Sequence, residues 1–345
     1  MDKILVIQTA FIGDAVLTLP MIQKLKELNP LSIIDVVSTP VSKEIFEASE
    51  CVNKVFPLDK RNEHKSLKAV YSFGRKISKE GYTKLYSPHR SFRSSLIALF
   101  SNVRETYGFS NSSFKIVYKH LVEYDVKDHE VKRNLAMTGC NTSGDAWKIL
   151  PQIKATEKQA DRVKSFIEKH ELKRFAVLAP ESVWQTKMYP ADYFKIIAEY
   201  FIKNKYKVML TGGTKDREKL KENFGSNFNV IIAAGEFSIV ESIELLRHAN
   251  ILVSNDSAPT HFGVCADIPV LTLYCSTTPE IGFYPYNRKS KYLSINGLKC
   301  KPCGIHGKNE CPLGTFECGK KLNPELVIKT IEEMTNDEHE QKDAS

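Results

Sequence analysis

Apolar and polar positions along this chain come in blocks whose period switches repeatedly. Residues 4–7 form an unbroken apolar run, the pattern of a strand buried on both faces. The chain then passes through Thr9 and Gly13-Asp14 into Val16, Leu19, Ile22 and Leu25, which recur at helical spacing. The succession continues with strands predicted at 32–38, 53–58, 82–88, 103–109 and 115–124. Helices are predicted between them at 41–48, 64–79 and 91–102. Residues 141–151 lack either period and mark a change of unit. After a helix at 156–170, a second series follows: strands at 174–180, 206–213, 229–235, 251–256 and 269–276. Its helices are expected at 191–203, from 216, at 239–248 and from 258. Alternation of this kind predicts parallel sheets with helices on both faces. The expected architecture is α/β, with two Rossmann-like doubly wound domains facing each other across a cleft. They would span 1–150 and 151–322, followed by a closing helix at 323–335 and an unstructured polar tail at 336–345. No internal repeat of short period is present.

A length of 345 residues supports two cores better than one. The chain is 42% hydrophobic and 26% charged, as in ordinary globular proteins. No apolar run approaches the roughly 18–20 residues of a membrane span. No charged-then-apolar leader opens the chain, so a cytoplasmic protein is expected. The net charge of +8 is unevenly placed: residues 60–104 hold eleven Lys and Arg against Glu63 and Glu80. Such a zone suits an anionic partner, or is simply a solvated Lys-rich surface. Arg90 and Arg93 stand out within it, because a guanidinium fork binds phosphate or carboxylate through two hydrogen bonds. No nucleic-acid motif and no aromatic-interleaved basic stripe accompanies them.

Three strand-end loops carry candidate chemistry. Asp14 sits where the first strand hands over to the first helix, the edge of an open α/β sheet where ligands bind. Only Gly13 is present there, so the loop is not a dinucleotide fingerprint. In the second half, Asp256-Ser257-Ala258 precedes a helix that Ser257 can cap, with His261 one turn in. A helix N-terminus is a ready diphosphate site, although an ordinary cap with a packed histidine has the same pattern. The loop with Ser182 and Lys187 offers an ammonium that could neutralise a leaving diphosphate, or only an exposed charge. At 211–218, Thr211 and Gly212 end a strand, and Asp216 or Glu218 could hold ribose hydroxyls. A plain turn and cap would look alike.

Together these residues resemble one family, the bacterial lipopolysaccharide heptosyltransferases of glycosyltransferase family 9. Thr9, Gly13, Asp14 and Pro20 match its first loop with one extra spacing, and Pro180, Ser182, Trp184, Lys187 and Pro190 match its donor-domain entry. Asn255, Asp256, Ser257, His261, Pro269 and Pro279 match its last site. Glu181 and Ala258 depart from the pattern, standing where glycine is usual, and Met188-Tyr189 stands for Arg-Trp. The resemblance implies a GT-B fold and an inverting transfer of L-glycero-D-manno-heptose from ADP-heptose to the lipopolysaccharide inner core. It implies no cofactor and no catalytic metal. By it, Asp14 would be the general base and Lys187 would stabilise the leaving diphosphate. Ser182, Thr211, Gly212, Asp216, Glu218, Asp256, Ser257, Ala258 and His261 would bind the donor. Gly13, Arg90 and Arg93 would bind an anionic lipid A–Kdo acceptor, with peripheral contact at the cytoplasmic face of the inner membrane. A same-fold enzyme for another nucleotide sugar or acceptor, and a non-catalytic nucleotide- or nucleic-acid-binding protein, are the alternatives.

Cys300, Cys303, Cys311 and Cys318 form a C-x2-C-x7-C-x6-C cluster beyond the last predicted strand. A structural metal, free thiols and a labile disulfide all remain open for it.

Overall fold

The computed structural model describes residues 1–225 and 228–343. The chain divides into two compact units, Met1–Lys154 and Ala155–Ser345. The expected boundary stood at residue 150.

The first unit is built on six parallel strands: β1 (Lys3–Gln8), β2 (Ile33–Ser38), β3 (Lys54–Pro57), β4 (Lys84–Ser87), β5 (Glu105–Phe109) and β6 (His120–Val122). Their order in the sheet is β3-β2-β1-β4-β5-β6. The chain therefore runs outward from β1 in one direction, then returns to β1 and runs outward in the other. The reversal lies between β1 and β4, where Val6 pairs with Tyr86. Loops leaving two such strands diverge and open a crevice at their carboxyl ends. The helices are α1 (Ile12–Leu28), α2 (Lys43–Glu47), α3 (Leu67–Ser78), α4 (Phe92–Phe100) and α5 (Glu130–Ala136). Ser66 and Ser91 cap α3 and α4, each accepting the N–H of the residue three positions on. Val70, Phe73 and Ile77 of α3 pack with Leu5, Ile7, Leu85 and Ile97 in one buried cluster. Burying each such side chain contributes about 1.5–3 kcal/mol.

Two features of this unit differ from expectation. Residues 115–124 are not one strand, since a 3-10 turn at Lys115–Val117 precedes the short β6. The turn carries Tyr118 inward over β5, and Gly108 makes room: a Cβ there would lie 2.4 Å from the Tyr118 ring. Helix α5 was not expected. It buries Val131 and Leu135 and adds polar contacts, with Asn134 donating to the Leu17 carbonyl of α1 at 3.2 Å and Arg133 paired to Glu130 at 2.7 Å.

The second unit repeats the plan. Its strands are β7 (Phe175–Ala179), β8 (Lys207–Leu210), β9 (Val230–Ile232), β10 (Ile251–Asn255), β11 (Val270–Tyr274) and β12 (Lys291–Ser294). All pairs are parallel, in the order β12-β11-β10-β7-β8-β9, so the reversal falls between β7 and β10. The helices are α6 (Glu157–Lys169), α7 (Ala191–Lys203), α8 (Arg217–Phe224), α9 (Ile239–Leu246), α10 (Ala258–Cys265), α11 (Glu317–Lys320) and α12 (Pro324–Asp343). Phe194, Ile197 and Phe201 of α7 share a buried cluster with Val327, Ile331 and Met334 of α12. The closing helix thus belongs to the core of this unit. It is longer than expected, continuing through 343 where an unstructured tail was anticipated; 344–345 lie outside the described residues. Its last turns are polar but rich in Glu, Gln and Lys, which favour helix, and hold no Gly or Pro.

Candidate active site

In the first unit, Thr9 to Phe11 links β1 to α1, and Asp14 stands in the first turn of that helix with Gly13 buried beside it. Asp14 Oδ2 accepts the Phe11 N–H at 3.2 Å, so the carboxylate is turned back over the helix start. Its pKa is pushed up to about 7. Burial is the largest cause and the negative charge of Glu130 adds to it, while the backbone N–H of Phe11 and the Arg90 guanidinium oppose it. A carboxyl that gains and loses a proton near neutrality is suited to general-base work.

Cationic groups line the same switch point. Arg90 follows β4 and lays its guanidinium over the Tyr124 ring, 3.9 Å from its centroid. Tyr124 also donates to Glu130 Oε2 at 3.1 Å, so Arg90, Tyr124, Glu130 and Arg133 form one network beside Asp14. Arg93 lies in the first turn of α4 and donates to the Lys65 carbonyl at 2.9 Å. Lys60, one of the basic-zone residues but not among the expected site residues, donates to the Thr9 carbonyl. Burial, with repulsion from Arg93, brings its pKa down to about 8. His89 Nδ1 lies 2.9 Å from both Thr9 Oγ1 and Ser94 Oγ. Burial and the charges of Lys60 and Arg90 push it down to about 3, so the ring is neutral at ordinary pH.

In the second unit, Asn255 ties the two switch-point strands together. Its Nδ2 donates to the Pro180 carbonyl at 2.6 Å, and its Oδ1 accepts the Tyr189 N–H at 2.9 Å. Both ends of the loop holding Ser182 and Lys187 are thereby pinned to the end of β10. Lys187 closes a 3-10 turn and pairs with Asp256 Oδ2 at 2.6 Å, their side chains only 14% and 11% exposed. Thr277 donates to the same oxygen at 2.7 Å. The ammonium is thus held beside the start of α10. Ser257 occupies the N-cap position there, but its side chain does not cap the helix as expected. It turns back to the Asn255 carbonyl at 3.3 Å, a local bond that competes with capping. Ala258 begins the helix, and His261 is buried one turn in with Nδ1 unpartnered. Burial holds the His261 ring down to about 4, with Lys187 adding and Asp256 opposing. Tyr274 OH and Ser276 Oγ, at the end of β11, are likewise buried without a partner.

The 211–218 loop is shaped by Asp216, whose Oδ2 accepts the Gly213 N–H at 2.7 Å. A Cβ on Gly212 would stand 3.0 Å from that same oxygen, so the glycine allows the loop to close on its acid. Thr211 bonds through its N–H to the Leu178 carbonyl at 2.9 Å, continuing the sheet. Glu218 is well exposed and pairs with Lys221 at 2.8 Å; of the two acids, Asp216 is the one built into the loop. Glu181, the departure from the family pattern, is neutralised by Lys219 at 2.6 Å.

All eight cysteines are free. Among the described residues no group of three or more His, Cys, Asp or Glu side chains is arranged to hold a metal ion.

The family model for glycosyltransferase family 9 (heptosyltransferase) matches residues 70–313. The chain is 22% identical to lipopolysaccharide heptosyltransferase 2 of Salmonella typhimurium, over 97% of this chain and 99% of that protein. Among solved structures it superposes on a family 9 glycosyl transferase from Veillonella parvula with a TM-score of 0.81, 22% identity and 97% of each chain covered. It also superposes on the E. coli ADP-heptose lipopolysaccharide heptosyltransferase II with a TM-score of 0.80, 19% identity and 98% and 99% covered.

Proposed function

The chain belongs to glycosyltransferase family 9, and on that premise we propose that it transfers heptose from ADP-heptose to an anionic lipopolysaccharide core. The second unit holds the donor. Its diphosphate lies against the N-terminus of α10 at Ser257 and Ala258, where free N–H groups and the helix dipole favour anions. Lys187 leaves Asp256 in part to meet the charge that grows on the departing diphosphate. Ser182 and His261 contact the donor at the same helix start. Thr211, Gly212 and Asp216 sit at the loop end that would meet the nucleoside. Glu218, turned to solvent, has the weakest claim among the donor residues.

The first unit holds the acceptor. Asp14 takes the proton from the attacking hydroxyl as that oxygen bonds to the anomeric carbon, and the carbon–diphosphate bond breaks on the opposite face. Arg90 and Arg93, with Gly13 beside Asp14 at the loop, meet phosphates or carboxylates of a lipid A–Kdo type core. The basic zone around them also suits peripheral contact with an anionic membrane surface. Among the described residues no helix is long and apolar enough to cross a membrane.

The observation that carries the reading is Asp14 itself, a carboxyl with a proton affinity near neutrality at the switch point of a family 9 chain. The test is turnover of a panel of nucleotide sugars with a deacylated lipid A–Kdo acceptor. ADP-heptose should be consumed with release of ADP. Turnover of another nucleotide sugar in its place would overturn the donor assignment.

A further inference from the structure

The segment between Cys300 and Cys311 contains neither helix nor strand, yet it is fastened onto the donor half-site. Cys303 donates its N–H to the Ser276 carbonyl at 2.8 Å. Thr186 and Lys308 exchange three hydrogen bonds: Thr186 N–H and Oγ1–H to the Lys308 carbonyl at 3.0 and 2.9 Å, and Lys308 N–H to Thr186 Oγ1 at 2.8 Å. Between these anchors lies Gly307, with φ of +79°. A Cβ there would stand 3.0 Å from Ser276 Oγ, 3.1 Å from Thr186 Oγ1 and 3.2 Å from Lys187 Cγ. Glycine is required twice over, by the left-handed backbone and by the close approach to Lys187. The residue before it, His306, is thereby delivered to the same place. Its ring lies nearly parallel to Trp184, at 15° and 6.5 Å between centroids. Its pKa is lowered first by partial desolvation of the ring and next by Lys187, with Asp256 opposing, so both members of the Lys187–Asp256 pair act on it.

We propose that His306 and Trp184 together form a specificity-determining wall of the donor half-site that contacts the transferred sugar rather than the nucleotide. The inference rests on the donor assignment given above. Lys187 marks where the diphosphate is held, and the two rings stand beside it in the same unit. An indole face covers sugar C–H groups, and an imidazole can hydrogen-bond hydroxyls. Thr211, Gly212 and Asp216, assigned to the nucleoside end, belong to a different loop, at the end of β8.

The test compares binding of ADP and of ADP-heptose to wild type, His306→Ala, His306→Gln and Gly307→Ala by calorimetry, with donor KM and kcat for each. His306→Ala should weaken ADP-heptose binding about tenfold while ADP affinity stays within about twofold. His306→Gln, which keeps a donor and an acceptor, should recover part of that loss. Gly307→Ala, which pushes the segment off Lys187, should weaken ADP-heptose at least as much as His306→Ala. Melting temperatures of the folded variants separate contact from collapse: His306 is exposed, so its removal should leave the transition in place. Equal loss of ADP and ADP-heptose affinity, or no loss of either, would overturn the inference alone. Failure of the wild-type protein to bind ADP-heptose while binding another nucleotide sugar would overturn the donor assignment beneath it.

Discussion

Asp14→Asn separates the chemistry of this carboxyl from its energetic cost. Its pKa rises from 3.8 to about 7, mainly through burial. The native state therefore favours the protonated acid, and ionising it costs stability. The rise is ~3 pH units, and at 1.36 kcal/mol per unit it amounts to ~4 kcal/mol at full ionisation. The sign follows: below 3.8 the group is protonated in both folded and unfolded chains and there is no penalty. Between 3.8 and 7 the unfolded chain releases its proton first, and stability falls as pH rises. Above 7 the full penalty is present. Asparagine cannot ionise and can still accept the Phe11 N–H. The variant should match wild type at pH 4 and exceed it by up to ~4 kcal/mol at pH 8.5. The chain has two tryptophans, Trp147 in the first unit and Trp184 in the second. Urea unfolding followed by fluorescence in a Trp184→Phe background thus reports the unit that contains Asp14. A stability difference that is the same at both pH values would refute the assignment of a carboxyl whose pKa is raised in the folded chain.

Further outcomes follow from the second unit. Lys187→Met should lower kcat about 100- to 1000-fold in steady-state transfer assays, because the developing diphosphate charge loses its ammonium. Asn255→Ala strands the Pro180 carbonyl and the Tyr189 N–H, and should cost about 2–4 kcal/mol in denaturation of the second unit. Gly263→Ala places a Cβ 2.4 Å from Val270 Cγ2 and 2.9 Å from Leu252 Cδ2, and the overpacked α10 should cost about 1–3 kcal/mol by the same assay.

The alternating fold was legible in the sequence because most strands carry apolar runs and most helices an apolar stripe. Helix α7 falls at 191–203 as its period indicates. What escaped has a common cause. Strand β12 is a half-exposed edge, Lys291–Ser294, with only Leu293 apolar besides the exposed Tyr292, so it carries no run. Helix α5 buries only Val131 and Leu135 as an apolar i, i+4 pair, alongside the Glu130–Arg133 pair and Asn134, and one such pair in seven residues is too short a period to read. The loops with Asp14, Lys187 and Asp256 could be found because each follows a strand end in the chain. Their partners could not. Glu130, Thr277 and Lys60 reach these loops only through the sheet order, from 116, 21 and 51 residues away respectively (130 − 14, 277 − 256, 60 − 9). Ser257 shows the reverse: its position at the helix start was legible, but the rotamer that turns it to Asn255 was not.

The central claim is that Asp14 acts on the acceptor hydroxyl and not on the donor. Single-turnover transfer from saturating ADP-heptose, with donor affinity measured on the same preparation of Asp14→Asn, tests it most directly. Transfer should fall by about 100-fold or more, with ADP-heptose affinity unchanged. Transfer at the wild-type rate, or loss of donor binding in step with loss of transfer, would contradict it.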